Sequence, residues 1–214
     1  MSFCYRNKLQ NVMQPIEKSI LARIRKARAG RVFSPRQFLN LGGRSAVGVA
    51  LHRLVRAGEI QRVRRGLYFM PRQHPILGQT GPDIMATVQA LMADSHAQWQ
   101  FTGAYAANAL GLSDQVPAKV IILTDGLARI VTLGKLTLAF RHASPRNLLG
   151  AGRRAGLVIQ ALRHLKASSE MATHIPRIRR DLDVGTKRDL VKLMKDLPAW
   201  MKPIVKEISQ ESHG

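Results

Sequence analysis

The sequence predicts an α+β protein of two domains, a small and strongly cationic one followed by a larger mixed one. Three observations carry that expectation. Runs with helical spacing of apolar residues alternate with short β-type runs along the 214 residues. The segment "PRQHPILGQTGPD" at 71–83 holds three prolines and two glycines, the composition of a linker. The charge changes across it. Residues 1–74 hold 16 Lys and Arg against Glu17 and Glu59, a net of +14, whereas residues 75–214 hold 18 against 11, a net of +7. The expected division is a first domain at 1–73, a linker at 74–82 and a second domain at 83–214.

The total of 34 Lys and Arg against 13 Asp and Glu, +21, attracts polyanions and repels itself. Nucleic acid is the leading partner. No run nears the roughly 20 apolar residues that span a bilayer, and "MSFCYRNKLQNVMQ" has no apolar signal core, so a cytoplasmic protein without a membrane partner is expected. Cys4, the single cysteine, has no partner for a disulfide or a metal site.

In the first domain, Ile16, Ile20, Ile24 and Ala27, with Leu21 beside them, form one apolar stripe of a helix that opens after Pro15 and closes at Gly30. "RVF" is too short to stand alone as a strand but fits a larger sheet. A second helix is expected in "SPRQFLNLGG", with Ser34 as cap, Pro35 at the first position and Gly42-Gly43 as the stop. A third spans 45–57, with Ser45 as its cap and Gly58 as its stop. Val47, Ala50, Leu51, Leu54 and Val55 share its inner face, and Ser45, Val49, His52, Arg53 and Arg56 its outer face. "EIQRV" and "LYFM" then read as two strands joined at "RRG", where glycine supplies a turn that a Cβ resists. Leu67 and Phe69 alternate with Tyr68, so one face of the hairpin is expected to pack back on the helices.

Helix, helix, basic helix, basic hairpin is the order of a winged helix-turn-helix. The candidate DNA-binding residues are Arg36, Arg44, Ser45, Val49, His52, Arg53, Arg56, Arg62, Arg64 and Arg65. Arg44, Arg53 and Arg56 are expected at a major groove, and the three hairpin arginines at flanking phosphates or a narrow minor groove. Charge of this kind gives affinity and salt dependence, not a choice of sequence.

Beyond the linker, Ile84, Val88, Leu91 and Met92 stripe a helix that starts near Asp83. "TGAYAANALGL" reads as a small-residue helix ending at Gly111, and "KVIILTD" as a buried strand closed by Asp125-Gly126. "ARIVTLGKLTLAF" reads as two strands joined at Gly134-Lys135. Helices follow after Ser144-Pro145 and in "AGLVIQALRHLK", with a last one from Thr186 that has Asp189 three residues on and is broken at Pro198.

Together, "RRGLYFMP" and "FTGAYAANALGLSDQVPAKVIILTDG" resemble the AbiEi family of antitoxins from type IV toxin–antitoxin systems linked to abortive phage infection. The resemblance in order and composition runs from about Pro15 to Trp200, and the segment at 102–126 is its most particular part. It implies an N-terminal winged domain that represses the protein's own operon. It also implies a C-terminal α+β antitoxin domain that counteracts a nucleotidyltransferase-type toxin, without requiring a stable complex with it. Neither role against a toxin nor toxin-contact residues are readable from composition or spacing.

Catalytic motifs are not found. Gly134-Lys135 has Arg129 where a phosphate-binding loop needs its first glycine, and "GAGRRAG" at 150–156 has Ala155 where a dinucleotide fingerprint needs its third. No nucleophile elbow, zinc-protease motif or paired cysteines occur, and no two of the seven histidines stand at helical ligand spacing. Asp125 fits a turn better than a reactive strand end. Tyr105 and Asn108 could share a helix face, with packing and a surface amide as their simpler roles. Asp181 and Asp183 read as a surface loop. No enzyme, cofactor or metal site is expected.

Arg141, Arg146, Arg153, Arg154 and Arg163, with "RIRRD" at 177–181, leave four readings open: a longer DNA footprint, RNA contact, an acidic toxin surface, or solvated faces. Few aromatics are present to stack on unpaired bases, which weakens the RNA reading. A ligand-responsive winged-helix regulator without a toxin partner is the alternative for the whole chain.

Overall fold

The computed structural model describes residues 14–27, 30–71, 73–74, 78–79, 81–114, 117–133, 136–166 and 171–210. The chain forms two compact units, 1–94 and 95–214, and its secondary structure is mixed α and β, as expected.

In the first unit, helix α1 (Pro15–Arg25) opens with Pro15 at its first position and a capping box between Gln14 and Glu17. Ile20, Leu21 and Ile24 are buried along its stripe. It ends before the expected Gly30, whose φ of 74° serves the turn into β1 (Val32–Phe33) instead. The expected second helix is a 3-10 helix, Pro35–Leu41, after Ser34. Helix α2 (Arg44–Arg56) buries Val47, Ala50, Leu51 and Leu54, the inner face read from spacing. Its N-cap is Gly43 and not Ser45, which lies inside the first turn. Strands β2 (Gln61–Arg64) and β3 (Leu67–Phe69) form the hairpin, and β1 joins β3 on the other side, all antiparallel. Arg64 belongs to the strand, so the turn is Arg65-Gly66, and Gly66 takes a φ of 78°.

This small sheet is covered on both faces, which the alternation in "LYF" did not disclose. Phe33 and Tyr68, paired in register, face the core of α1 and α2 around Ile20, Phe38, Leu51 and Leu54. Val32, Leu67 and Phe69 face the other way, against Ala90 and Leu91. Those two residues belong to α3 (Ile84–Met92), which follows the short pair β4 (Gln73–His74) and β5 (Gly78–Gln79). The helix expected to open the second domain therefore completes the first, and the boundary moves from 74–82 to between Asp94 and Ser95. Asp83 fixes its start twice. Its carboxylate accepts from Ala86 N at 2.7 Å, and its own N–H donates to Gly30 O at 2.9 Å. Gly30 allows that approach, since a Cβ there would lie 3.0 Å from Asp83 N.

The second unit is built on a four-stranded sheet in the order β6-β7-β9-β8, with β6 (Trp99–Phe101), β7 (Lys119–Thr124), β8 (Arg129–Leu133) and β9 (Leu136–His142). β7 and β9 run parallel in the centre, and the edge strands are antiparallel to them. "KVIILTD" is thus a central strand. The two strands expected around 134–135 do pair, although those two residues lie outside the described ones. Between β6 and β7 comes α4 (Gly103–Ala109). After β9 come α5 (Arg154–Leu165), α6 (Met171–Asp181), α7 (Val184–Leu193) and α8 (Met201–Ser209). A 3-10 turn at Pro145–Asn147 stands where a helix was expected after Ser144. Helix α6 runs through Pro176, a residue that usually ends helices. Asp181 closes α6 and Asp183 caps α7, so the loop expected there is only Leu182 and Asp183. Asp183, not Thr186, caps α7, accepting from Thr186 N at 2.8 Å. A second core lies among these helices, with Val158, Ile159, Leu162, Leu190 and Val205 fully buried.

Candidate nucleic-acid interface

The outer face of α2 follows from its inner one. With Val47, Ala50, Leu51 and Leu54 committed to the core, Ser45, Val49, His52 and Arg56 fall on the opposite stripe at i, i+4, i+7 and i+11. All four are exposed, as is Arg44. Val49 is 48% exposed, an apolar side chain set among polar and cationic ones. The chain leaves α2 through Gly58, with Glu59 N and Ile60 N both donating to Leu54 O, and enters the hairpin. Arg64 and Arg65 stand exposed at its end.

The structure separates the candidate arginines into two groups. Among the described residues, Arg44, Arg56, Arg64 and Arg65 have no carboxylate partner, and their donors remain available to an anion. The others are engaged. Arg36 pairs with Asp94, both side chains largely exposed. Arg53 NH1 lies 3.2 Å from Glu17 Oε1, and that carboxylate is 4% exposed. Glu17 Oε2 also accepts from Gln14 N at 3.1 Å, so one buried carboxylate ties the start of α1 to the side of α2. Arg62 donates from Nε to Arg64 O at 3.4 Å, across the irregularity between β2 and β3. Arg53 keeps half its side chain in solvent, with further N–H groups to offer. Outside the expected set, Arg25 pairs with Glu59 at 3.2 Å, and Arg23 donates to Gln37 O and Asn40 Oδ1, each at 2.9 Å. Sequence spacing on single helices could not show the pairings of Arg23, Arg25, Arg36 and Arg53, whose partners lie 14 to 58 residues away in the chain.

A cavity of about 660 Å³ in the same unit is lined by Arg31, Gln37, Asp83 and Gln89 together with Val32, Met85 and alanines of α3. Its lining mixes charges, and Asp83 is already used as a cap.

In the second unit most of the arginine cluster is spoken for. Arg153 pairs with Asp189 at 3.5 Å, Arg154 with Asp183 at 3.8 Å, and Arg177 and Arg180 with Asp181 at 3.7 and 3.0 Å. Arg163 donates to Asn147 Oδ1 at 2.6 Å and Arg146 O at 3.0 Å, and its partial burial lowers its pKa from the ordinary arginine value. Thr102, Gln160, Asn147 and Gln100 form a polar chain beneath it: Thr102 donates to Gln160 Oε1, and both glutamines donate to Asn147 O. The carboxylate of Asp183 is held below its usual pKa, first by the Thr186 hydroxyl, then by the Thr186 N–H, with Arg154 adding a smaller push.

The other chemical candidates have structural occupations. Asp125 Oδ1 accepts from Gln98 N at 2.8 Å, closing the turn after β7. Tyr105 packs on Phe101 with ring centres 4.3 Å apart, and Asn108 donates to Ser113 O at 2.9 Å. Among the described residues no group of three His, Cys, Asp or Glu is placed to hold a metal ion, and no helix is long and apolar enough to cross a membrane.

A family model described as "Family of unknown function (DUF6088)" matches residues 19–190. No curated protein matches the chain. Among solved structures, the crystal structure of the RV2827C protein from Mycobacterium tuberculosis is similar over 92% of this chain and 78% of that one, at 16% identity and a TM-score of 0.47.

Proposed function

We propose, for a chain that belongs to the DUF6088 family and takes no activity from that membership, that residues 14–94 are a winged helix-turn-helix that binds duplex DNA. One observation carries the reading: the outer face of α2 and the tip of the following hairpin hold Arg44, Arg56, Arg64 and Arg65 without an acidic partner among the described residues, and residues 1–74 of the chain carry a net charge of +14. On this reading α2 enters a major groove, and Arg64 and Arg65 contact the backbone beside it. Arg53 serves both the fold, through Glu17, and the DNA, through its exposed N–H groups. Arg36 contributes less, because Asp94 offsets its charge.

The regulatory part of the proposal is autorepression, with the operator in the DNA upstream of the chain's own gene. Binding of the whole protein to that DNA, against a shuffled duplex at about 150 mM salt, tests it, because low salt lets any strongly basic protein bind any duplex. A preference of roughly a hundredfold or more falls in the specific range and supports the reading; equal affinity for both duplexes sinks it. The role of residues 95–214 against a nucleotidyltransferase-type toxin rests on the sequence resemblance at 102–126 alone. Much of that segment is core, with Ala106, Ala107, Val120 and Ile122 fully buried.

A further inference from the structure

We propose that α2 reads thymine, with the C5-methyl group of a base seated against Val49 and the helix brought close at Gly48. The inference rests on the DNA-binding reading and gives that surface a chemical preference. Val49 is 48% exposed, whereas Val47, Ala50, Leu51 and Leu54 of the same helix are at most 1% exposed. It stands in the middle of the stripe that Ser45, His52 and Arg56 define, so it faces whatever those residues meet. A valine half in solvent contributes little to the core, and its branched Cβ is not favoured by the helix.

Gly48, beside it, has no internal reason to be glycine. Its backbone is helical, and a Cβ built on it meets nothing within 4 Å. Alanine there would favour the helix. What the missing Cβ leaves is space outside the fold, next to the exposed valine.

Charge identifies the occupant. Arg44 and Arg56 flank this window without acidic partners among the described residues, while Arg53 is drawn aside to Glu17. A surface that is cationic at its ends and apolar at its centre fits a polyanion with an apolar group recessed between its charges. In the major groove of B-DNA that group is the thymine methyl, the one apolar feature on a base edge there. RNA does not fit, because the major groove of an A-form helix is too narrow for side chains to read and uracil lacks the methyl.

The test uses the full chain and a duplex recovered by selection from a random-sequence pool, with its thymines replaced one at a time by deoxyuridine, which removes only the methyl. At one or two positions affinity should fall about fourfold, the worth of one buried methyl. Val49→Ala should bind the thymine and deoxyuridine duplexes equally at those positions. Gly48→Ala should melt higher than the wild type and bind the selected duplex at least tenfold more weakly. Selective binding that is indifferent to deoxyuridine at every position, or Val49→Ala retaining the wild-type sensitivity, overturns the inference and leaves the DNA-binding reading standing. If selection recovers no preferred duplex, both fall.

Discussion

Arginine is abundant in both units, but the two use it differently. In the first, acids are few, and four exposed arginines on α2 and the hairpin tip have no carboxylate partner among the described residues. In the second, Asp181 and Asp183 at the junction of α6 and α7, with Asp189 inside α7, engage Arg153, Arg154, Arg177 and Arg180. A guanidinium beside a carboxylate has part of its charge offset and some of its donors occupied. Counting basic residues therefore overstates the second unit as an anion-binding surface and identifies the first more fairly. Arg141, Arg146 and Arg188 are the exceptions, exposed and without an acidic partner among the described residues.

The contrast requires the first unit to be a body in its own right, and its completeness depends on α3. A chain cut after residue 94 should fold cooperatively. One cut after residue 82 exposes the face of Val32, Leu67 and Phe69 that α3 covers, and should lose roughly 5 kcal/mol, from about 1.5–3 kcal/mol per apolar side chain returned to water. Thermal melts of the two fragments, followed by circular dichroism, read the difference. Equal stability would restore the linker at 74–82 as the boundary.

Next in size is the one buried acid among the arginines of the first unit. Glu17→Gln removes the charge that holds both Arg53 and the N–H of Gln14. It should cost about 2 kcal/mol, in the range of hydrogen bonds to a charged group, measured by urea unfolding. The same change frees Arg53, so nonspecific DNA affinity should hold or rise while stability falls. A parallel fall in both would show Arg53 to be held for DNA by Glu17.

The smallest effect lies in the second unit. Asp183→Ala removes the cap of α7 and should lower the urea midpoint by the smallest step of the three. Because the folded state depresses the Asp183 pKa, its stabilisation is fully present above the unfolded value near 4. It is lost as pH falls through the lower folded value. The stabilities of wild type and Asp183→Ala should therefore converge in acid and differ by a constant amount above about pH 5.

Much of the first unit was legible because local rules decide it. The stripe Ile20, Leu21, Ile24 gave α1, the face Val47 to Leu54 gave α2, and Arg65-Gly66 gave the hairpin turn. What sequence left hidden is long-range. The apolar stripe of 84–92 announces a helix but not its partner, and only the three-stranded sheet, apolar on both faces, explains why it belongs with the first unit. Helix caps shifted by two and three residues because glycine at Gly43 and aspartate at Asp183 competed with the nearby Ser45 and Thr186. Strand β6, three residues long, has too short a pattern to recognise, and Pro176 concealed α6. Of the candidate site, spacing supplied the exposed stripe of α2; the engagement of Arg36 and Arg53 depends on acids 58 and 36 residues away in the chain.

The most direct measurement compares three proteins on the upstream duplex across a series of salt concentrations: the wild type, Arg56/Arg64/Arg65→Ala and Arg153/Arg154/Arg177→Ala. Removing one arginine–phosphate interaction should flatten the dependence of log affinity on log salt by about 0.9. The first variant should show a slope shallower by nearly three units and no preference over a shuffled duplex, while the second keeps wild-type slope and preference. Abolished binding in the second variant with the first unaffected would contradict the account and move the DNA surface to the second unit.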